Sequence, residues 1–306
     1  KGLGSEAVTV TDSSVSASDL NTLNTNTDYN ITVNATAISG SLSDVSTLYG
    51  NKAGDSDADT DGFTGLGNEA ITLTDTGSIA ASTLLTVAQA NSSGTVDASN
   101  AGTITGTAEQ IIDAYDDSTI TEASDVALTV NTANSGTATL TQARDLDDLT
   151  TGVVTATIAA TDLSDLLDNS TPLLDANGNN AFTITIGSGD AEVSAADLNT
   201  LNGLTTVDID AGNVTTISSS TLDAINTLYT SGGFSGLGDQ DITASDSGSI
   251  AASTITTIAA ANSSGTLDVS DAATITGTAA EIIAAFADGT VTEASDVALT
   301  VNSGTA

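Results

Sequence analysis

Apolar positions along this chain fall into two alternating patterns. In the first, short segments led by Ser, Thr or Ala place apolar residues three and four apart. They are SDLNTL from Ser18, SLSDVSTL from Ser41, STLLTVAQA from Ser82, TAEQIIDAY from Thr107, TQARDLDDL from Thr141, TDLSDLL from Thr161, ADLNTL from Ala196, STLDAINTLY from Ser220, STITTIAAA from Ser253 and TAAEIIAAF from Thr278. This spacing predicts ten helices of two or three turns. Thr278 with Glu281 and Thr107 with Gln110 read as capping boxes, in which the threonine and the third residue satisfy each other's backbone N–H. Helices this short do not persist alone in water, so each must lie against a sheet.

The second pattern is strict alternation of apolar residues with Thr, Asp or Ser. It covers 7–11, 30–36, 70–74, 95–99, 125–130, 153–158, 182–186, 205–210, 241–245, 266–270 and 296–301. Alternation of this kind predicts short strands with one wet face. The strands dominate this reading, which predicts a mainly β chain with short helices: a β-solenoid with one short helix per coil. A tandem array of small β-rich domains is the alternative.

The patterns repeat. Residues 62–131 return at 233–302 without a gap, with roughly two thirds of the positions identical. A long internal repeat points to an array, so 1–306 is expected to be one continuous repeat array. Between the ten helix starts, short steps alternate with long ones. That alternation predicts a paired step of about 57 residues with two coils per pair. Residues 50–62 (GNKAGDSDADTDG) form an insertion that the second copy lacks. Residues 167–181 hold the only proline and read as a loop. The first residues, KGLGSEAVTV, match TGLGNEAITL in the middle of the repeat, and the last match 134–138. A segment of a longer array, or a subunit that stacks end to end, is expected.

Composition narrows the functional classes. There are 40 Asp+Glu against 3 Lys+Arg, a formal charge of −37, with no His, Cys, Met or Trp. Nucleic acid and anionic membranes recruit proteins through Lys and Arg, so neither is an expected partner. The chain shows no run that would insert in a membrane. Divalent cations are the expected partners, together with copies of the chain or further repeats, and surface polysaccharide. Without His or Cys, the usual general bases and thiol nucleophiles are missing, and no enzyme is expected.

The insertion carries the clearest candidate chemistry. Asp55, Asp57, Asp59 and Asp61 alternate ahead of Gly62, the way a tight oxygen-lined turn wraps a hard cation. Asp57-x-Asp59-x-Asp61-Gly62 matches the first half of a calcium loop. The second half is imperfect: Asn68 stands twelfth and Glu69 thirteenth. Asp55, Asp57, Asp59, Asp61 and Glu69 are therefore the candidate Ca2+ ligands. Asp175-x-Asn177-x-Asn179 is a lesser version that also fits an Asx-rich turn. Thr-x-Thr pairs at Thr9/Thr11, Thr72/Thr74, Thr155/Thr157 and Thr183/Thr185 suggest a second function, a hydroxyl face for ice or glycan. Sequons at Asn30, Asn34, Asn91, Asn169, Asn213 and Asn262 are expected by chance in so Asn- and Thr-rich a chain.

GFTGLGNEAITLTD, TITGTAAEIIAAF, SDVALTVNSGTA and LDDLTTGVVTATI resemble the repeats of giant β-strand-repeat, adhesin-like surface proteins of marine cyanobacteria and related bacteria. That resemblance covers nearly the whole chain. It implies an extracellular location at the cell surface, association with calcium, and a structural or adhesive role in a filament, surface layer or adhesin. No site residue follows from it.

Overall fold

The computed structural model describes residues 2–52, 62–131, 136–159, 161–168 and 178–302. It divides into two compact units, Lys1–Thr157 and Ile158–Ala306.

The first unit holds helices α1 (Ala17–Asn26), α2 (Leu42–Gly50), α3 (Ala81–Ala90), α4 (Ala108–Asp116) and α5 (Leu140–Leu149). Its strands form three parallel sheets. One orders Val8–Val10, Ile31–Val33 and Phe63–Thr64. The next orders Ser14–Ser16, Ala37–Gly40, Ala70–Leu73, Thr95–Asp97 and Ile120–Thr121. The third runs from Ser78–Ala80 through Thr103–Gly106 and Ala127–Val130 to Val154–Ile158. The first two sheets grow in one direction along the chain; in the third, Thr137–Ala138 lies beyond Val154–Ile158, out of chain order. Val15 pairs with Ile38, Ile38 with Ile71, Ile71 with Val96 and Val96 with Ile120. Ile79, Ile104, Leu128 and Val154 make a second column in the same way. The rung between partners is nearly constant in length, and the one longer step, from Ile38 to Ile71, spans the insertion.

The second unit repeats this arrangement with α6 (Leu163–Leu166), α7 (Ala195–Asn202), α8 (Leu222–Ser231), α9 (Ala252–Ala261) and α10 (Ala279–Ala287). Val193, Ile217, Ile242, Leu267 and Val291 form one parallel column with near-even steps. Ile250, Ile275 and Leu299 form another.

All ten expected helices are present among the described residues. The expectation of a mainly β chain is corrected to mixed α/β with parallel sheets: the strands are very short, and helices hold more of the chain than strands do. The paired step is also corrected, to a single rung of less than half that length, as from Val15 to Ile38 or from Ile104 to Leu128. Helix starts give the wrong period because the helix does not keep a constant place in the rung. Between α2 and α3 the chain adds a third strand, Ser78–Ala80, before turning helical. Strand register keeps the period that helix starts lose.

Strands that run straight into a helix escape the alternation pattern. Ser14–Ser16, Ser78–Ala80 and Ser249–Ala251 each carry one large apolar residue, Val15, Ile79 or Ile250, flanked by small ones. Those single residues still matter. Ile38, Ile71, Val96, Ile104 and Leu128 are fully buried, and so are Val45, Leu84, Ile111 and Ala114 on the helices that lie against the sheets. The core is thin, about one or two apolar residues per strand deep, which is why small Ala, Val and Ile suffice. The strand-to-helix corner is tight as well. A Cβ on Gly106 would stand 3.2 Å from the Ala81 Cβ, and one on Gly277 would stand 3.0 Å from the Ala252 Cβ.

Much of the acidity is consumed locally. Capping boxes close the starts of α4, α5 and α10 at Thr107/Gln110, Thr139/Gln142 and Thr278/Glu281. Asp75 accepts from the Leu42 N–H at 2.7 Å and Asp246 from the Leu222 N–H at 2.6 Å. Each is an acid from a later rung at a helix N-terminus, where negative charge is favoured. Asp97, Asp117, Asp268 and Asp288 accept the backbone N–H two residues on. The short aspartate side chain suits such turns and glutamate does not, which accounts for an acid surplus made mostly of Asp.

Candidate functional site

Of the five candidate calcium ligands, Asp55, Asp57, Asp59 and Asp61 lie outside the described residues, as do Asp175, Asn177 and Asn169. Glu69 is described, and it belongs to a buried polar node. Its Oε2 accepts from the Tyr49 hydroxyl at 2.6 Å, the Gly67 N–H at 2.8 Å and the Asn68 N–H at 3.0 Å. Asn91, fully buried at the end of α3, completes the node. Its Oδ1 accepts the Glu69 N–H at 3.1 Å, and its Nδ2 donates to the Glu69 carbonyl at 2.8 Å. The Tyr49 hydroxyl oxygen lies 2.9 Å from Asn91 Oδ1. Burial first, and then the bond to Glu69, push the Tyr49 hydroxyl far above its ordinary range, so it stays a proton donor.

The chain builds this node from three separate segments. Tyr49 sits in the last turn of α2, Glu69 immediately before strand Ala70–Leu73, and Asn91 after α3. A buried carboxylate is tolerable only with donors around it, and here two of the three are backbone. Gly94 is obligatory for the closure, because a Cβ there would fall on the Glu69 carbonyl and the Asn91 amide.

The second copy of the repeat rebuilds the node with two changes, in Glu69 and in Asn68, where Asp239 stands. Gln240 replaces Glu69, Asn262 replaces Asn91, and Tyr229 of α8 takes the place of Tyr49. Gln240 Oε1 accepts from Gly238 N–H at 2.6 Å and Asp239 N–H at 3.2 Å, with the Tyr229 hydroxyl at 3.0 Å. Asn262 makes the same pair of bonds to Gln240, 2.9 Å to its N–H and 2.7 Å to its carbonyl. The amide nitrogen adds donors that a carboxylate lacks, to Val214 O at 3.1 Å, Gly236 O at 3.2 Å and Asp239 Oδ1 at 2.8 Å. Glu69 and Gln240 thus do one structural job. The second copy does it with no acidic insertion beforehand. One oxygen of Glu69 is already saturated, which leaves only the other for any cation.

No family model matches the sequence, and no curated protein or solved structure matches it either.

A second polar pair lies beside α4. The Tyr115 hydroxyl and Glu122 Oε1 are both buried without a hydrogen-bond partner. Burial, with Asp117 adding charge repulsion, pushes Glu122 up to about 7. In the second copy Phe286 stands for Tyr115, and Glu293 Oε1 is again without a partner and its carboxyl raised by burial.

Among the described residues no group of three or more His, Cys, Asp or Glu side chains is placed to hold a metal ion. The open groove lined by Leu163, Asp190, Glu192, Asp197 and Ser218 is acidic. Its acids are engaged, however: Asp190 with the Leu163 N–H, Glu192 with Ser218, and Asp197 with Ser194. Threonines form single-file columns, such as Thr9–Thr32–Thr64 and Thr105–Thr129–Thr155. The strands are too short to present Thr9 with Thr11, Thr72 with Thr74 or Thr183 with Thr185 side by side, but strand Val154–Ile158 holds Thr155 and Thr157 on one face. Thr64 and Thr105 turn their hydroxyls onto backbone carbonyls of the neighbouring strand. Asn91 and Asn262, two of the sequon residues, have their amides inside the nodes and are closed to sugar attachment in the folded chain. No helix among the described residues is long and apolar enough to cross a membrane.

Sequence patterning singles out Glu69 as a candidate ligand, and Asn91 and Asn262 only as sequons. A signal for the rest is present: the asparagines of the two ANSSGT motifs, Asn91 and Asn262, each stand 22 positions after the Glu of GLGNE or the Gln of GLGDQ.

Proposed function

We propose that this chain is a structural module of an extracellular filament, surface layer or giant adhesin: a solenoid of stacked parallel coils, each with a short helix, forming an acidic array stiffened by calcium. The observation that carries the reading is the in-register return of parallel strands, rung after rung, in both units. A doubly wound, Rossmann-like sheet also has parallel strands and intervening helices. There, however, the chain passes through one helix to a strand of the same sheet. Here it visits a strand of another sheet between Ile71 and Val96, and again between Val96 and Ile120, before returning. Coiling of this kind makes stability a sum of neighbour contacts, which suits a load-bearing array and not a single site.

The calcium component rests on Asp55, Asp57, Asp59 and Asp61 and on the charge of −37, which a divalent cation would offset where monovalent salt only screens it. Thermal unfolding in millimolar calcium and in EDTA tests it. Calcium is expected to raise the Tm by several degrees, since a ligand at about 100 times its Kd adds about 2.7 kcal/mol. Replacing the four aspartates by Asn is expected to abolish the difference. Identical melting in both buffers would remove calcium from the reading. Continuous filaments with an axial repeat in electron micrographs of native material would support the structural role, and isolated globules would count against it. The alternative ligand face for ice or glycan has in its favour the threonine columns and the pair Thr155 and Thr157 on the open side of strand Val154–Ile158.

A further inference from the structure

Tyr115 and Glu122 lie where one coil of the first unit meets the next. Tyr115 is in the last turn of α4, and Glu122 opens the turn at 122–126 that follows strand Ile120–Thr121. The Tyr115 hydroxyl and Glu122 Oε1 are both closed to solvent and without a hydrogen-bond partner. They are near enough to act on each other: burial first, and then the charge of Glu122, hold the Tyr115 hydroxyl above its ordinary range. Buried polar groups in folded chains are nearly always bonded. An unbonded buried carboxyl group is far cheaper as the neutral acid than as the carboxylate.

The next coil seals this turn. The Thr150 hydroxyl donates to Val126 O at 2.7 Å, and the Thr151 N–H donates to Ser124 O at 2.8 Å. Gly152 passes so close that a Cβ there would stand 2.5 Å from Asp125 O and 2.6 Å from Val126 O. Bringing water to Glu122 Oε1 where it stands means lifting the turn off these bonds. The charged groups around it are mostly acids. α4 carries Asp113, Asp116 and Asp117, the strand paired with Ile120–Thr121 carries Asp97, and the turn itself carries Asp125. α5, packed on α4, brings Arg144, Asp145, Asp147 and Asp148, while α3 on the other side of α4 brings none. Asp117 adds repulsion to the effect of burial on Glu122. Arg144, the one basic residue among them, makes no bond to Glu122 Oε1.

We propose that Glu122 and Tyr115 form a proton-operated latch between the coil of α4 and the coil of α5. With Glu122 protonated, the turn at 122–126 stays closed under residues 150–152. With Glu122 ionised, the turn lifts off Thr150 and Thr151 so that the carboxylate is hydrated. Tyr115 is the roof of the latch, and while the turn is closed its hydroxyl gives Glu122 no bond. The device depends neither on calcium nor on assembly into a larger array. Its direction follows from linkage. The closed turn holds Glu122 at about 7, and opening returns it towards 4.5. Opening therefore becomes easier as pH rises between those values and levels off above the higher one. The joint between the two coils is tight in acid and loosens towards alkaline pH.

Amide hydrogen exchange of the whole chain in EDTA, corrected for base catalysis, tests this at the Thr151 N–H. The Ile225 N–H of α8, bonded to Thr221 O, serves as the reference in the second unit. Protection at Thr151 is expected to fall roughly 50- to 100-fold between about pH 5 and pH 8 relative to Ile225. Glu122→Gln is expected to keep Thr151 protected across that range. Carbon NMR of the Glu122 carboxyl group in the wild-type chain gives its midpoint without any variant, and about 7 is expected. Thr151 protection that stays level while Glu122 titrates overturns the latch, because the side chain then swings out alone. A Glu122 midpoint at its ordinary value overturns it too, as does an equal loss of Thr151 protection in Glu122→Gln.

Discussion

The polar nodes around Glu69 and Gln240 occupy the same place in two copies of one repeat and solve the same packing problem with opposite use of charge. In the first unit the pair is Asn68–Glu69, in the second Asp239–Gln240. Each pair has one acid and one amide, but the acid changes place. In the first, the buried member is the acid, held by two backbone N–H groups and a tyrosine. In the second, the buried member is the amide, and its nitrogen donates to the acid beside it at 2.8 Å. The asparagine that ties Glu69 or Gln240 to the next turn is unchanged. It accepts the backbone N–H at 3.1 Å in one node and 2.9 Å in the other, and donates to the carbonyl at 2.8 and 2.7 Å. The repeat therefore preserves the backbone staple and lets the charge move, so long as the neighbouring residue compensates.

The staple should be the costliest part to remove. Asn91→Ala strands the Glu69 N–H and carbonyl in a site closed to water. With about 1–3 kcal/mol for each buried group left unpaired, a loss of about 3–4 kcal/mol is expected in urea unfolding of the chain. Asn262→Ala is expected to cost the same in the second unit. Unequal losses would break the equivalence of the two nodes.

The swap should be asymmetric. Gln240→Glu places a carboxylate against Asp239, Val214 O and Gly236 O, and is expected to cost about 2–3 kcal/mol. Glu69→Gln is expected to cost under about 1 kcal/mol, since the second copy already uses an amide there. Asp239→Asn added to Gln240→Glu recreates the first unit's pair and is expected to recover most of the loss. A double variant no better than the single one would sink the compensation argument.

The tyrosines sharpen the comparison at smaller scale. Tyr49→Phe removes a bond to a charged group, at about 1.5–3 kcal/mol, and Tyr229→Phe removes a neutral one, at about 0.5–1.5 kcal/mol. Denaturation midpoints for the two variants that came out in the reverse order would mean that Glu69 is not the charged member of its node.

The smallest effect concerns pH. Glu122 is raised to about 7 from its ordinary 4.5, so the folded chain holds that proton more tightly than the unfolded chain does. The stability it contributes is complete below its unfolded value and is lost as pH rises through about 7. Asp97 and Asp288 run the other way: bonds from Ser99 and Thr290 hold them below the usual carboxylate range, and their contribution is lost as pH falls. Glu122→Gln is expected to flatten the decline between about pH 4.5 and 7 in the first unit, leaving the acid limb intact. An unchanged slope across that window would mean that Glu122 is ionised without cost.

The local pattern alone determined the helices and the capping boxes at Thr107 and Thr278, because three- and four-residue apolar spacing and a Thr N-cap act within one turn; the Ser-led reading of α3 and α9 is corrected, since they start after Ala80 and Ala251 with no side-chain cap. The local pattern also carried the repeat, since identical segments fold alike. A third capping box is equally local: Thr139-Leu-Thr-Gln142 closes α5 ahead of the Thr141 start that apolar spacing alone suggests. Strands such as Ser78–Ala80 and Ser249–Ala251 were not legible, because a single isoleucine between small residues has no period. They become strands by pairing with the next rung, Thr103–Gly106 and Thr274–Gly277. The same holds for the rung length and for Glu69. Acid spacing alone made Glu69 a candidate cation ligand. Only the tertiary structure brought Tyr49 from 20 positions before it and Asn91 from 22 after. With those partners and two backbone N–H groups in reach, a carboxylate that would otherwise have to stay in water became part of the core.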